Sequence, residues 1–115
     1  MTPTESNARP FPLACVPGAI PQAERSAHFD LLTQLGSRVH DKRELSDGYA
    51  YCFDARDFDD VARWIANERR CCPFLRFVVE LESGGGPMWV RLTGPGGTRD
   101  FLDAEFPQMG RAQQR

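Results

Sequence analysis

The chain contains one structural unit twice: a helical segment followed by two short strands that flank a turn with glycine. In the first unit, over residues 21–53, apolar residues recur at helical spacing until Gly36, and two strands then flank a three-residue turn that ends at Gly48. We expect a positive φ at Gly48. In the second unit, over residues 57–93, Pro73 forces the preceding residue out of the helical region and ends the helix.

These units predict the order β-α-β-β-α-β-β-α, because a strand over residues 11–16 precedes them and a short helix follows them. The predicted class is α+β, with a mostly antiparallel sheet and helices on one face. The pattern leaves open whether the two hairpins join one sheet or two. We predict a single domain over residues 11–106, a disordered lead over residues 1–10 and a flexible tail over residues 107–115.

Composition restricts the class of function. The 115 residues carry a formal charge of −2 with no strongly basic stretch, which argues against binding to the phosphates of a nucleic acid. No apolar stretch approaches the roughly 18 residues that span a bilayer, and the first ten residues lack the pattern of a secretory signal. We therefore expect a cytoplasmic protein without nucleic-acid or membrane partners, whose four cysteines are free thiols or ligands.

The residues that suggest chemistry lie at the end of the second helix. Ile65, Glu68 and Cys72 fall on one stripe of that helix, so an apolar face ends in a carboxylate and a thiol. Glu68 is three residues before Cys71 and four before Cys72, which brings its side chain within reach of either sulfur. A carboxylate in that position could accept a thiol proton.

A soft metal ion is the partner that these thiols favour. The partial negative charge of a helix C-terminus opposes a thiolate, whereas a bound cation deprotonates its own ligands. Adjacent side chains on a helix point in different directions, so a chelate by Cys71 and Cys72 alone needs a special backbone at the Cys-Cys-Pro corner. We expect instead that one of them faces a pocket and meets a thiol from elsewhere. Cys15 is the best candidate, and Cys52 is the second choice because it lies opposite the aromatic face of its strand. Thiolates with only two histidines in the chain suit Hg(II), Cu(I) or As(III) better than catalytic zinc.

Structural interpretations compete with these chemical ones. Free cysteines are often small buried hydrophobic residues, and this applies most to Cys52. His28 lies on or near the apolar side of the first helix and is interpreted as a packing residue, and His40 as an exposed strand residue. The glycine-rich segment before the last helix lacks a lysine or another phosphate-binding pattern, so it is interpreted as a plain turn.

The chain resembles a family of small, uncharacterised bacterial proteins in four segments: Cys15 with its strand, residues 44–49, residues 68–77 and residues 89–95. The most specific part is the motif E-x-x-C-C-P-F-L-x-F, followed by L-T-G-P. Similar segments are associated with mercury-resistance regulators. The resemblance covers roughly residues 11–105 and implies a site made of Cys15, Glu68, Cys71 and Cys72, without Cys52.

The leading hypothesis is a cytoplasmic module that binds a soft metal ion or a small thiophilic ligand, with Hg(II) or an organomercurial first and Cu(I) or As(III) next. Cys15 and Cys72 are the predicted principal ligands, Cys71 is a third or exchange ligand, and Glu68 is the proton acceptor. One alternative is an enzyme that protonates the carbon of a carbon–mercury bond, with Glu68 as its catalytic acid. The other is a thiol redox protein that cycles a Cys15–Cys72 disulfide.

Overall fold

A computed structural model describes residues 13–109 of the chain. Within them the helices are α1 (Gln22–Gly36), α2 (Phe58–Cys71) and α3 (Thr98–Glu105), and a short 3₁₀ helix (Ala55–Asp57) leads into α2. The strands are β1 (Asp41–Leu45), β2 (Gly48–Phe53), β3 (Arg76–Leu81) and β4 (Met88–Thr93). Each of the two repeated units in the sequence therefore forms a helix and a hairpin.

The two hairpins join one antiparallel sheet, with strand order β1-β2-β4-β3. Strand β2 pairs with β4, so each hairpin supplies one central strand and one edge strand. This arrangement confirms the predicted α+β class and its antiparallel sheet. It also answers the question that the sequence left open, because the hairpins share a single sheet.

The helices pack on one face of this sheet. Alternate residues of β2 point to opposite faces, and Tyr51 and Phe53 belong to the same buried cluster as Trp64 of α2 and Leu102 of α3. The other face of the sheet is covered by its own side chains. There the Arg43 guanidinium lies 4.6 Å from the centre of the Trp89 ring. The prediction that helices occupy one face is therefore confirmed.

The strand predicted over residues 11–16 is wrong for the part that the structure describes. Residues 13–16 bend, and one backbone hydrogen bond, from Val16 N to Cys71 O at 2.8 Å, holds them to the end of α2. Residues 11 and 12 lie outside the described residues. Prolines at positions 12 and 17 lack a backbone N–H, so the segment has too few hydrogen-bond donors to pair with a neighbouring β-strand. The described order therefore begins with α1.

Gly48 is required for a different reason from the one predicted. The β1–β2 turn has two residues, since Leu45 and Gly48 are already paired, and Gly48 is not among the glycines with a positive φ in residues 13–109. Strand β4 lies so close that a Cβ at Gly48 would come 1.8 Å from the carbonyl oxygen of Leu92. Close approach of two central strands, rather than turn geometry, therefore requires glycine here.

The packed part of the chain continues past residue 106. The Met109 side chain is 0% exposed and belongs to the core, and Gln108 lies against Gly36 at the end of α1. The flexible tail predicted from residue 107 is thus wrong for residues 107–109, because the sequence pattern gives no sign that a single methionine is buried. The other residues of the predicted tail, 110–115, and the predicted lead over residues 1–10 lie outside the described residues.

Candidate metal centre

The candidate site forms where α2 ends. Cys71 is the last residue of α2, and the backbone N–H of Cys72 still donates to the carbonyl oxygen of Glu68 at 2.7 Å. Glu68 and Cys72 therefore lie on the same side of the final turn. At Cys72 the backbone leaves the helical region, with φ −123° and ψ 73°, as Pro73 requires. This corner places the Cys72 side chain in the interior, where it is 0% exposed, and leaves Cys71 half-buried.

The structure brings three of the four thiols together. The sulfurs of Cys15, Cys71 and Cys72 all lie within 4.8 Å of one another, and the distance between the sulfurs of Cys15 and Cys72 is 3.8 Å. Cys15 reaches the site from the bent segment of residues 13–16, which the Val16–Cys71 hydrogen bond holds in place. The segment that does not form the predicted strand is therefore the one that supplies the third thiol.

Cys52 does not join this group. It pairs across the sheet with Asp41 on one side and Trp89 on the other. It therefore lies on the face opposite the helices, and the buried core cluster does not include it. Burial raises the pKa of its thiol. The second choice for the third thiol is thus wrong, and Cys52 is a buried sheet residue.

Glu68 connects the thiols to α1. Its carboxylate is 4% exposed; Oε1 lies 3.6 Å from the Cys72 sulfur, whose thiol donates, and Oε2 lies 2.8 Å from Nε2 of His28. The His28 side chain is 11% exposed, and its other ring nitrogen, Nδ1, is buried without a hydrogen-bond partner among the described residues. The site is therefore a cluster of thiols backed by a carboxylate and an imidazole.

His28 is the residue of this site that the sequence analysis missed. The sequence predicts a packing role for His28, yet its ring provides the polar partner that the buried carboxylate of Glu68 needs. A signal was present in the sequence: His28 precedes Leu31, Leu32 and Leu35 at helical spacing, so each of the two helices carries one ionisable residue on its apolar stripe. Two such residues on neighbouring helices are candidates for a buried pair.

Burial and nearby negative groups raise the pKa of the thiols of Cys15 and Cys72. Burial raises the pKa of Cys72 above its ordinary value of 9.0, and the charge of Glu68 raises it further. Burial also raises the pKa of Cys15 to about 12. A nucleophilic cysteine needs the opposite shift, so the site is better suited to exchanging its protons for a positive centre.

No arginine or lysine of residues 13–109 hydrogen-bonds to the three sulfurs, and the polar side chains that do so outside the cluster are Glu68 and Glu105. Glu105 lies 3.7 Å from the sulfur of Cys15. Arg70, which is close in sequence, instead bonds to the side chain of Asn67 and the carbonyl oxygen of Ala19. Within residues 13–109, the groups that hydrogen-bond to the sulfurs therefore supply no positive charge to thiolates.

Comparisons with known proteins found no match to this chain among family models, curated proteins or solved structures. The resemblance to small bacterial proteins therefore stays a prediction. In residues 13–109, no helix combines the length and the apolar character needed to cross a membrane. The function proposed below therefore rests on the geometry of the site itself.

Proposed function

We propose that this protein binds one thiophilic metal ion through Cys15, Cys71 and Cys72. The observation that carries the proposal is the convergence of three sulfurs within 4.8 Å of one another. Thiolates are soft ligands and select ions such as Hg(II), Cu(I) and As(III), or an organomercurial, over harder cations. We place this activity in the cytoplasm, where thiols are kept reduced.

The spacing of the sulfurs suits a shared ion. With a metal–sulfur distance of about 2.3 Å, two sulfurs on one ion lie about 3.8 Å apart at a tetrahedral angle and about 4.6 Å apart in a linear arrangement. The distance of 3.8 Å between Cys15 and Cys72 falls within this range. The ligands come from two separate segments of the chain, so the fold, rather than the vicinal pair alone, creates the site.

Glu68 is the proposed acceptor for the proton that Cys72 releases when it binds a divalent ion. Each thiol must lose its proton to become a ligand, and Oε1 of Glu68 is the nearest acceptor, at 3.6 Å from the Cys72 sulfur. His28 holds the other carboxylate oxygen at 2.8 Å, which fixes the orientation of the acceptor.

Isothermal titration of the reduced chain with Hg(II) and with Cu(I) tests this proposal. We expect one ion per chain, and we expect Cys72→Ser to weaken binding by about 100-fold or more, because it removes the innermost ligand. Cys52→Ser is the matched control and should bind like the wild type, since Cys52 lies on the other face of the sheet. Equal affinity of the Cys72→Ser variant and the wild type would overturn the ligand assignment.

A second candidate is protonolysis of a carbon–mercury bond, which the contact between Glu68 and Cys72 favours. Cys15 and Cys72 would bind the mercury, and a protonated Glu68 would deliver its proton to the leaving carbon. Release of benzene from phenylmercury by the wild type, and its loss in Glu68→Gln, would support catalysis. Binding of phenylmercury without release of benzene would contradict catalysis and support a protein that only binds the metal.

A redox role for Cys15 and Cys72 requires movement. Their sulfurs are 3.8 Å apart, whereas a disulfide bond is about 2.05 Å long. One backbone hydrogen bond, from Val16 N to Cys71 O, joins residues 13–16 to the end of α2, so we expect the Cys15 segment to be the part that moves. Mass spectrometry after mild oxidation tests this alternative, which predicts a Cys15–Cys72 crosslink that leaves Cys71 free.

A further inference from the structure

We propose that the three thiols are matched to a trivalent, three-coordinate centre that arrives as a hydroxide, of which arsenite, As(OH)₃, is the simplest example and its antimony analogue another. The inference rests on the proposed function, because it names the class of ligand for the same three cysteines. Its basis is the charge around the sulfurs and the angle that their spacing imposes.

Charge balance favours a trivalent centre. Three thiolates carry three negative charges, so a trivalent centre gives a neutral complex, whereas a divalent ion leaves one negative charge and Cu(I) leaves two. Cys72 is 0% exposed, and the carboxylates of Glu68 and Glu105 contact the sulfurs of Cys72 and Cys15. Surplus negative charge is costly at the buried Cys72 and Glu68, and no arginine or lysine of residues 13–109 hydrogen-bonds to the sulfurs.

The angle at the bound ion favours a pyramidal centre over a linear one. For a metal–sulfur distance of about 2.3 Å, the 3.8 Å between Cys15 and Cys72 corresponds to an angle of about 110°. A linear two-coordinate ion would need the sulfurs about 4.6 Å apart. Trivalent arsenic instead binds three sulfurs as a pyramid, with its lone pair on the open side, and Cys71, whose sulfur lies within 4.8 Å of the other two, would supply the third corner.

A tetrahedral divalent ion also accepts this angle, but it needs a fourth ligand. Within residues 13–109, the side chains that hydrogen-bond to the sulfurs from outside the cysteine cluster are the carboxylates of Glu68 and Glu105. Either one would add a further negative charge to a complex that is already negative. A pyramidal trivalent centre needs no fourth ligand, so it fits the residues present without this cost.

The binding reaction is an exchange of ligands without oxidation or reduction. One As(OH)₃ and three thiols give one As(S-Cys)₃ and three waters: three As–O bonds break, three As–S bonds form, and each thiol proton leaves on a hydroxide. Arsenic stays trivalent throughout. No net proton is released, whereas an aqueous divalent ion displaces one proton from each protonated thiol that it binds.

The experiment is an anaerobic titration of the reduced full chain with arsenite and, in parallel, with Cd(II). Calorimetry in two buffers of different ionisation enthalpy measures the protons released, and native mass spectrometry measures the product. We expect one arsenic per chain, a mass gain of one arsenic less three hydrogens, and a heat that is independent of buffer. The heat of Cd(II) binding should depend on the buffer, because its thiols release protons.

Variants test whether three thiols bind the arsenic. Cys71→Ser should weaken arsenite binding by about 100-fold, since one of three bonds is lost, but it should keep its affinity for phenylarsine oxide, which needs only two thiols. An affinity for phenylarsine oxide equal to that of the wild type would also show that Cys15 and Cys72 are still held together in this variant. Cys52→Ser should behave as the wild type with both compounds.

The outcomes separate this inference from the proposed function. Suppose that Cd(II) binds at the three cysteines, but arsenite does not bind or binds through two thiols only. Either result would overturn the inference and leave the metal-binding proposal intact. Undiminished arsenite binding by Cys71→Ser would overturn the inference as well. Failure of arsenite and Cd(II) to bind, together with failure of Hg(II) and Cu(I) in the titration described above, would overturn both proposals.

Discussion

Glu68 shows how a single residue can couple the core to the thiols. Its buried carboxylate would be costly without polar partners, and it has one on each oxygen, with His28 at 2.8 Å and Cys72 at 3.6 Å. The same carboxylate disfavours a thiolate at Cys72, because two negative charges would then be adjacent. Glu68 therefore favours the protonated form of the Cys72 thiol.

Glu68→Gln should lower the pKa of Cys72, because the neutral amide removes the charge that opposes the thiolate. Burial remains, so the pKa should stay above its ordinary value of 9.0. The measurement is the thiolate absorbance against pH in a chain whose other three cysteines are serine. Glu105→Gln serves as the control and should leave the Cys72 titration unchanged. An unchanged or higher midpoint in Glu68→Gln would contradict the assigned role.

The raised pKa of Cys72 also makes folding stability depend on pH. A group whose pKa is higher in the folded chain contributes stability that is complete below its unfolded pKa and is lost as the pH rises toward the folded value. The unfolding free energy should therefore fall above pH 9.0, with Cys15 contributing in the same direction. Urea unfolding at about pH 8 and about pH 10 should show a smaller loss in Cys72→Ser than in the wild type. Equal losses in the two proteins would contradict this prediction.

At the scale of elements, the pairing of β2 with β4 depends on the missing side chain of Gly48. Gly48→Ala should lower the unfolding free energy by about 2–4 kcal/mol, since the new Cβ must displace backbone rather than a flexible side chain. Gly96→Ala is the matched control, because no atom lies within 4 Å of its added Cβ, and its effect should stay within about 0.5 kcal/mol. Equal effects of the two substitutions in chemical denaturation would show that close approach of the strands is not the constraint.

The elements show which parts of the fold a sequence can predict. Periodicity located α1 and α2, and Pro73 located the end of α2, because these signals lie within the segment that they describe. The strand at residues 11–16 was wrong because an apolar run does not reveal whether a neighbouring strand offers partners. The role of Gly48 was wrong for the same reason, since the atom that requires glycine is in Leu92, on another hairpin.

At the scale of the whole molecule, the site depends on contacts between segments that are distant in sequence. Cys15 and Cys72 are 57 positions apart, and His28 and Glu68 are 40 apart. Sequence reasoning found Cys15, Glu68, Cys71 and Cys72 because each has a reactive side chain in an unusual place. It missed His28, because the sequence does not show that the apolar stripes of α1 and α2 face each other, and only that packing pairs His28 with Glu68.

Met109 extends the core beyond the last helix. Met109→Ala should lower the unfolding free energy by about 2–4 kcal/mol, because it leaves a cavity among buried side chains. Met109→Leu keeps most of the volume and should cost less than about 1.5 kcal/mol. Thermal and chemical unfolding of both variants measure the difference. A negligible effect of Met109→Ala would show that the core ends before residue 107, as the sequence predicted.

The central claim is that Cys15, Cys71 and Cys72 share one ion, and X-ray absorption spectroscopy at the metal edge tests it most directly because it counts sulfur ligands. The sample is the reduced chain with one equivalent of Cd(II), a soft ion that thiolates bind well. The account predicts three sulfurs on the ion in the wild type and in Cys52→Ser, and two in Cys71→Ser. The same sulfur count in Cys71→Ser as in the wild type, or a lower count in Cys52→Ser, would contradict it.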